Sequence, residues 1–333
     1  MTPTETLAPT PIRRAEALYR GHSLTFGLKL ESENTTGSIK DRTAVGLFIA
    51  MERESPLTPG SVVVESTSGN LGLALASLLR RIDCHFIAVV DPRTPEATRR
   101  RLSELDAESV MVDDPDEHGG YLLSRLREVR RLCSDNPAYR WPNQYGNPAN
   151  PDIHARTTGP EISRQGGPTC NTAYIAVSTG GTLAGVSAYL RRYRPDVKIV
   201  AVDVRGSLAV TWRPGRRLVP GIGSSRRSEF LTGRPYDRVI AVGAVESFAI
   251  CRIIDEDLGM RLGGSSGSVI SAMLTEMRAH DLRFPICLCP DGGIRYLETF
   301  YSDNWLEEQG ILEDVRNVHD RLRSEGLKFL LET

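Results

Sequence analysis

The most informative stretch of this sequence is Asn34-Thr35-Thr36-Gly37-Ser38-Ile39-Lys40-Asp41-Arg42, a Gly/Ser turn that runs into a helical pattern. It carries one of only four lysines in a chain with thirty-seven arginines. Arginine stays protonated, whereas a desolvated lysine can lose its proton and attack a carbonyl. The stretch therefore indicates either a reactive lysine at Lys40 or an ordinary surface lysine, and the other motifs must distinguish the two.

The bulk composition is that of a globular protein without a strong electric field. The chain has 333 residues, of which 40% are hydrophobic and 25% charged, and its net charge is −1. This length favours two lobes, and the near-neutral charge argues against nucleic acid as a partner. Six scattered cysteines form no metal-ligand pattern, so we expect no metal site. No segment resembles a signal peptide or reaches the length of a membrane span, which predicts a cytoplasmic protein without membrane partners.

Short apolar runs alternate with amphipathic stretches along most of the chain, which predicts an α/β fold with mostly parallel sheets. The predicted strands are Val62–Glu65, Cys84–Val90, Ser109–Val112, Ala173–Val177, Lys198–Asp203, Val239–Val242 and Pro285–Cys289. The predicted helices are Leu71–Arg81, Pro95–Leu105, Tyr121–Leu132, Leu183–Arg192, Glu246–Asp257 and Ser268–Arg278. Binding sites in such folds lie beyond the carboxyl ends of the strands, so functional residues are expected in the loops that follow them.

Four motifs rich in Gly and Ser occur in such loops. Ser66–Asn70 and Ser178–Thr182 each follow a predicted strand and open a predicted helix, so their N–H groups and hydroxyls suit an anion such as phosphate. Simple helix capping is the alternative interpretation. Gly263–Ser268 and Pro290–Tyr296 are weaker signals of the same kind. Together with Lys40, the motifs indicate a cofactor that carries both an aldehyde and a phosphate, namely pyridoxal 5′-phosphate.

A family resemblance rests on five motifs in order: SIKDR, STSGN, STGGT, GGSSG and PDGGIRY. They resemble the cysteine synthase family of fold-type II pyridoxal-phosphate enzymes, over about residues 28–306. The resemblance implies a fold like that of tryptophan synthase β, with two open, twisted, mostly parallel sheets wrapped by helices, and commonly a homodimer. It also implies that Lys40 forms the Schiff base and acts as general base, and that Asn70 bonds the cofactor's ring oxygen. The implied phosphate loop consists of Ser178, Thr179, Gly180, Gly181 and Thr182.

The same resemblance implies a division of the chain into lobes. Residues 34–144 would form a smaller, mobile lobe that closes over the substrate. Residues 1–33 and 145–333 would form a larger lobe with the phosphate loop. The implied ligands of the substrate α-carboxylate are Thr67, Ser68, Gly69 and Gln144.

One departure from the family concerns the pyridine nitrogen of the cofactor. Many relatives have a serine where Gly292 stands in this sequence, and a glycine has no hydroxyl to offer. Ser265 is the first candidate to face the nitrogen instead, and Asp291 is the second. The choice affects how strongly the ring withdraws electrons.

Four segments, the first of which contains the STSGN motif, resemble one branch of the family, in which O-phospho-L-serine is joined to L-glutamate with release of phosphate. The segments are 64–72, 114–122, 220–226 and 301–307. That branch belongs to siderophore and 2,3-diaminopropionate biosynthesis. Cations and hydroxyls suit a phosphate leaving group, so the candidate substrate residues are Arg125, Tyr145, Ser178 and Arg226. A helix-surface ion pair is the alternative for Arg125, and a solvated loop charge is the alternative for Arg226.

Two other functions stay open from the sequence. A cysteine synthase would use the same site with sulfide as nucleophile and O-acetylserine or O-phosphoserine as substrate. A non-catalytic scaffold of this fold would bind a partner instead, although the intact Lys40 and two anion-binding turns argue against it.

Overall fold

The computed structural model describes residues 7–67, 69–117, 119–210 and 214–332. The strands within them are β1 (Ile12–Tyr19), β2 (His22–Leu30), β3 (Val62–Ser66), β4 (His85–Val90), β5 (Glu108–Met111), β6 (Thr172–Ala176), β7 (Lys198–Val204), β8 (Arg238–Val242), β9 (Ile286–Cys289) and β10 (Lys328–Leu331). The helices are α1 (Lys40–Glu54), α2 (Asn70–Arg80), α3 (Glu96–Glu104), α4 (Leu122–Asp135), α5 (Ala149–Arg156), α6 (Thr158–Gly166), α7 (Gly181–Tyr193), α8 (Ala244–Leu258), α9 (Gly264–Glu276), α10 (Asp303–Glu308) and α11 (Leu312–Ser324).

These strands form two sheets. The larger has seven strands in the order β10-β1-β2-β9-β6-β7-β8, and the smaller has the order β3-β4-β5. Every pair is parallel except β10 with β1 and β1 with β2. Strands β4 and β7 are nearly continuous runs of buried apolar residues, as parallel strands covered on both faces require. The prediction of an α/β fold with two mostly parallel sheets is confirmed.

All seven predicted strands and all six predicted helices are present, but the antiparallel edge of the larger sheet was not predicted. Strands β1 and β2 form a hairpin through Arg20 and Gly21, whose φ values are +50° and +75°. Both residues are in the left-handed region, as the preferred two-residue hairpin turns require. The C-terminal stretch contains α10 and α11 and returns as β10 beside β1.

A buried cluster of four charged side chains joins β2, α1 and α6. Arg42 donates from Nε to Glu31 at 2.7 Å and from Nη1 to Glu161 at 2.6 Å, while Lys29 donates to Glu161 at 2.6 Å. The side chains of Lys29, Glu31 and Arg42 are fully buried. The cluster fixes the first turn of α1 against the larger sheet, and Lys40 begins that turn.

The loops after the strands converge because three backbone bridges connect them. Ser38 pairs with Asp291 and Leu262 with Gly292, and the N–H of Ile39 donates to the carbonyl of Pro290 at 2.8 Å. The lysine turn, the 290–296 loop and the start of α9 therefore meet in one place. No helix of the described ranges is long and apolar enough to cross a membrane. The predicted division into a lobe of residues 34–144 and a larger lobe stays a prediction.

Candidate active site

A cleft is lined by residues that come directly after β3, β4, β6 and β9, so it lies at the carboxyl ends of strands from both sheets. A smaller cavity beside it shares Lys40 and Ser178 with its wall. Of the residues predicted from the sequence, the cleft is lined by Lys40, Thr67, Gly69, Asn70, Arg125, Gln144, Tyr145, Ser178 and Ser265. The smaller cavity is lined by Lys40, Ser178, Thr179, Gly180 and Thr182. Residues far apart in sequence are thus brought together around one lysine.

Lys40 follows a tight turn at Gly37, whose φ is +83°. Asp41 holds this turn by accepting hydrogen bonds from Thr36, at 3.1 Å from the backbone N–H and 2.8 Å from the hydroxyl. Burial lowers the pKa of the Lys40 amine from 10.5 to about 8, although the carboxylate of Asp291 opposes the shift. The amine is therefore neutral in mildly alkaline solution, as nucleophilic attack on an aldehyde requires.

The side-chain amide of Asn70 is fixed in one orientation. Its Oδ1 accepts a hydrogen bond from Arg295, and its Nδ2 donates to Oδ2 of Asp291 at 2.8 Å. Because arginine only donates and Asp291 is an acceptor, these partners determine which end of the amide is oxygen. Asn70 lines the same cleft as Lys40, so this fixed amide faces any ligand bound there. Arg295 was not singled out from the sequence, although it belongs to the motif Pro290–Tyr296.

The loop Ser178–Thr182 leads into the N-terminus of α7, where backbone N–H groups favour an anion. Gly180 has a φ of +89°, and a Cβ at this position would lie 2.0 Å from Oγ of Ser228. At Gly181 a Cβ would lie 2.1 Å from Oδ1 of Asn150. Glycine is required at both positions, so the two glycines of the motif have a steric reason that is independent of any ligand.

His154 lies beneath this loop and links it to the lysine helix. Its Nε2 is 3.1 Å from Oγ1 of Thr43 in α1 and 3.3 Å from Oγ1 of Thr182. Burial, with smaller contributions from Lys40 and Arg42, lowers the pKa of His154 well below 6.5, so the ring is neutral. No motif in the sequence indicates a chemical role for His154, and its position is that of a structural support.

Two residues compete for the pyridine nitrogen of a cofactor. Ser265 is fully buried, lines the cleft, and its hydroxyl has no hydrogen-bond partner among the described residues. Asp291 also has an unpartnered oxygen, but this Oδ1 is pressed against Gly263, where a Cβ would lie 1.8 Å away. Its other oxygen accepts from Asn70 and from the hydroxyl of Tyr296. The free hydroxyl of Ser265 is therefore the group better placed to receive a ring nitrogen.

The predicted carboxylate loop is tied together by a buried glutamate that was not predicted. Glu65 accepts hydrogen bonds from the backbone N–H of Gln144 at 3.0 Å and from that of Ser66 at 2.8 Å. The amide of Gln144 also donates to the Ser66 carbonyl at 2.8 Å, so Gln144 is fixed beside the loop. Burial raises the pKa of Glu65 to about 7. The sequence signal for a role of Glu65 is its position as a charged residue at the end of the apolar strand Val62–Glu65.

Thr67 and Gly69 shape the same loop. Oγ1 of Thr67 accepts from the N–H of Gly69 at 3.0 Å and from that of Gly72 at 2.9 Å. Gly69 has a φ of +142°, which favours glycine. Ser68, which the sequence predicts as a carboxylate ligand, lies outside the described residues.

Arg125 lies on α4 and is only 5% exposed. Its Nε is 3.2 Å from Oδ2 of Asp91, but neither Nε nor Nη1 completes a hydrogen bond with any described residue. Tyr145 and Ser178 line the same cleft, and the hydroxyl of Ser178 donates to the Gly223 carbonyl at 3.2 Å. Buried guanidinium groups normally use their donors, so Nε and Nη1, which have no partner among the described residues, are available to a ligand in the cleft.

Arg226 is absent from the described lining of the cleft and forms an ion pair with Glu229. Two other arginines, Arg93 and Arg217, take part in the lining instead, together with Arg295. Neither Arg93 nor Arg217 stands in a recognisable motif, so the sequence offered no signal for them. The covering loop, residues 214–227, contributes residues 217–225 to the lining of the cleft.

These features define a pyridoxal-phosphate enzyme, and comparison with known proteins agrees. The sequence profile of the family described as "Pyridoxal-phosphate dependent enzyme" matches residues 4–284. The chain belongs to this family, which confirms the predicted class of enzyme and its cofactor. The orphaned hydroxyl of Ser265, the amine of Lys40 and the glycine loop before α7 fit the nitrogen, aldehyde and phosphate of that cofactor.

Individual proteins that resemble this chain in sequence or structure are synthases by name. The chain is 39% identical over 299 residues to the N-(2-amino-2-carboxyethyl)-L-glutamate synthase of Ralstonia nicotianae, covering 89% of this chain and 88% of that protein. The crystal structure of an O-ureido-L-serine synthase superposes with a TM-score of 0.82 at 26% identity, over 92% of this chain and 98% of the other. The O-acetylserine dependent cystathionine β-synthase of Helicobacter pylori has a TM-score of 0.79 at 24% identity, over 90% and 97%. The last similarity concerns the fold alone.

Proposed function

We propose that this enzyme replaces the phosphate of O-phospho-L-serine with the amino group of L-glutamate, giving N-(2-amino-2-carboxyethyl)-L-glutamate and inorganic phosphate. The observation that carries the proposal is the buried guanidinium of Arg125, whose Nε and Nη1 have no hydrogen-bond partner in the cleft that contains Lys40. Such donors suit a phosphate dianion, whereas an acetyl ester would offer them only a neutral oxygen. The name of the Ralstonia relative supports the same reaction.

The cofactor, when bound, supplies the electron sink that makes the Cα proton of an amino acid acidic. The residues proposed to hold it are Lys40 at the aldehyde, Asn70 at the ring oxygen, Ser265 at the nitrogen, and Ser178, Thr179, Gly180, Gly181 and Thr182 at the phosphate. Lys40 has a second proposed role, because its neutral amine can accept the Cα proton and retain it during the reaction.

The first substrate is proposed to be held at both ends. Thr67, Ser68 and Gly69, at the N-terminus of α2, and Gln144 bind its α-carboxylate. At the other end Arg125, with Tyr145 and Ser178, binds the phosphate. The Cβ–O bond then breaks and its electron pair leaves on the phosphate, whose developing charge Arg125 stabilises.

The second half of the reaction forms the new bond. The lone pair of the glutamate amine attacks Cβ, the C–N bond forms, and the amine loses one proton, while Cα recovers the proton held by Lys40. Water must be excluded meanwhile, because it would compete as a nucleophile. We propose that the lobe of residues 34–144 moves to close the cleft. Its Gly120 already faces Ser225 of the covering loop so closely that a Cβ would lie 2.3 Å from the Ser225 hydroxyl.

Mass spectrometry of the products tests the proposal. The holoenzyme would receive O-phospho-L-serine or O-acetyl-L-serine, with L-glutamate and sulfide competing as nucleophiles. We expect the glutamate adduct, formed faster from the phosphorylated substrate. Cysteine without any glutamate adduct would identify a cysteine synthase, and no turnover with any pair would indicate a scaffold. Lys40→Ala is the inactive control. The homodimer and the cytoplasmic location stay predictions.

A further inference from the structure

The charges that line the cleft are unevenly compensated. Acidic neighbours accompany the inner cations, because Asp91 lies beside Arg125 and Asp291 lies near both Lys40 and Arg295. The remaining lining cations are Arg93 and Arg217, for which no carboxylate within 4.0 Å is found among the described residues. The outer part of the cleft therefore carries positive charge that the described carboxylates do not neutralise at contact distance.

The hydrogen bonds that orient Arg217 go to neutral groups. Its Nη1 donates to the carbonyls of Gly206 and Ser224 at 3.0 and 3.2 Å, and its Nη2 donates to Oγ of Ser225 at 2.9 Å. Burial lowers the pKa of Arg217, Asp116 opposes this, and the charge of Arg93 lowers it further. The guanidinium is thus oriented with its charge retained, close enough to Arg93 for the two to repel each other.

Arg93 lies in the loop after β4 and lines the same cleft. Its Nη2 donates to the carbonyl of Gly119 at 2.9 Å, and its guanidinium carbon lies 5.2 Å from the centre of the Tyr121 ring. Gly120, between these two contacts, also approaches Arg217, since a Cβ there would lie 3.0 Å from Nη2 of Arg217. Arg93 and Arg217 therefore flank the same short segment, residues 119–121.

We propose that Arg93 and Arg217 form a binding site for the side-chain carboxylate of the amino acid that acts as nucleophile. This proposal rests on the proposed function and deepens it, because it states which feature of L-glutamate the enzyme selects. A carboxylate between two guanidinium groups relieves their repulsion and accepts hydrogen bonds from both. L-Glutamine has the same shape without the charge, so it gains neither effect.

Arg93 and Arg217 line the same cleft as Arg125, the proposed phosphate ligand of O-phospho-L-serine, but they are different residues from those assigned to that substrate. Two separate anion sites allow the leaving phosphate and the incoming dicarboxylate to be recognised independently. The site therefore explains selection of the second substrate without any role in release of the first.

The test is Arg93→Gln in the holoenzyme, compared with Arg100→Gln, which removes an exposed arginine of α3 away from the cleft. We expect Arg93→Gln to raise KM for L-glutamate by about 10- to 100-fold, the effect of losing one charge-assisted contact, with KM for O-phospho-L-serine near the parent value. The preference for L-glutamate over L-glutamine should fall by the same factor. Arg93→Lys should restore part of it, and Arg217→Lys, which keeps the charge, should weaken the preference by less than Arg93→Gln. Arg100→Gln should behave as the parent.

The outcomes separate this proposal from the proposed function. If the parent forms the glutamate adduct and Arg93→Gln leaves KM and the glutamate preference unchanged, the anion site is wrong and the function stands. If the parent rejects L-glutamate but uses another carboxylate-bearing nucleophile in an Arg93-dependent manner, the site stands and the function is wrong. A parent that accepts only nucleophiles without a side-chain carboxylate would overturn both.

Discussion

Nε of Arg125 lies 3.2 Å from Oδ2 of Asp91, and both side chains are buried, yet the pair completes no hydrogen bond through Nε. Asp91 offsets the charge of the guanidinium and leaves its donors free. Such an ion pair positions the guanidinium and still leaves Nε and Nη1 able to donate hydrogen bonds to an anion. The proposal that phosphate is the leaving group rests on this pair of Arg125 and Asp91.

Arg125→Gln should lower kcat/KM for O-phospho-L-serine by about 10- to 100-fold, because hydrogen bonds to a charged group contribute about 1.5–3 kcal/mol. The same variant should lose much less activity, if any, with O-acetyl-L-serine, whose leaving group does not need the cation. Steady-state kinetics with the two substrates measures the difference. Arg127→Gln, an exposed position on the same helix, is the matched control. Equal losses with both substrates would show that Arg125 only supports the structure.

The amine of Lys40 should react with pyridoxal phosphate at a lower pH than an ordinary lysine does. Because burial lowers its pKa to about 8, the neutral fraction, and with it the rate of cofactor attachment to the apoenzyme, should rise with pH and level off above about pH 8. Asp291→Asn removes the opposing carboxylate and should shift this midpoint to lower pH. Stopped-flow absorbance of the bound cofactor measures both profiles. A midpoint near 10.5 would contradict the burial argument.

Glu65 should make stability depend on pH in a defined direction. Its pKa is about 7 in the folded protein, against an ordinary value of 4.5, so the folded state holds the extra proton between these values. The stabilising contribution is therefore complete below about pH 4.5 and is lost as pH rises through about 7. Glu65→Gln should flatten this part of the curve of unfolding free energy against pH, measured by urea titration. Glu108→Gln, at an exposed strand position, should leave the curve unchanged.

Glu65→Gln should also weaken binding of the amino acid substrate. A glutamine at position 65 would turn an NH₂ group towards donors at Gln144 or Ser66, which disturbs the loop that they form. We expect KM for O-phospho-L-serine to rise by about tenfold, the effect of one lost hydrogen bond of about 1.4 kcal/mol. An unchanged KM would separate Glu65 from the carboxylate site.

Ser265→Ala should lower kcat, because the ring nitrogen loses its proposed hydroxyl partner. Gly292→Ser offers a rescue, since a Cβ at Gly292 would lie 3.4 Å from Cβ of Ser32, an ordinary contact. The double variant should therefore recover part of the lost kcat and shift the absorbance of the bound cofactor back towards that of the parent. If Ser265→Ala is silent and Asp291→Asn changes the spectrum instead, Asp291 is the partner of the nitrogen.

Local patterns predicted the parallel strands and the loops that follow them, because each is coded by a short apolar run and a few small residues. The hairpin of β1 and β2 was missed, since its strands carry charged residues and its turn is Arg20-Gly21 in place of the common Asn-Gly. Arg93, Arg217 and Glu65 were missed because their roles depend on which loops meet in space. Arg93 and Arg217 are 124 positions apart in sequence and flank one three-residue segment.

The cluster of Lys29, Glu31, Arg42 and Glu161 constrains how this protein can change over evolutionary time. Removing one member would leave a buried charge without its partner, which typically lowers the free energy of unfolding by about 3–5 kcal/mol. Replacing all four with apolar side chains of similar volume can leave the stability unchanged. Replacing these residues one at a time therefore produces intermediate variants that fold poorly. Among homologous sequences the four positions should covary as a block, either keeping all four charges or none, while the neighbouring surface drifts freely.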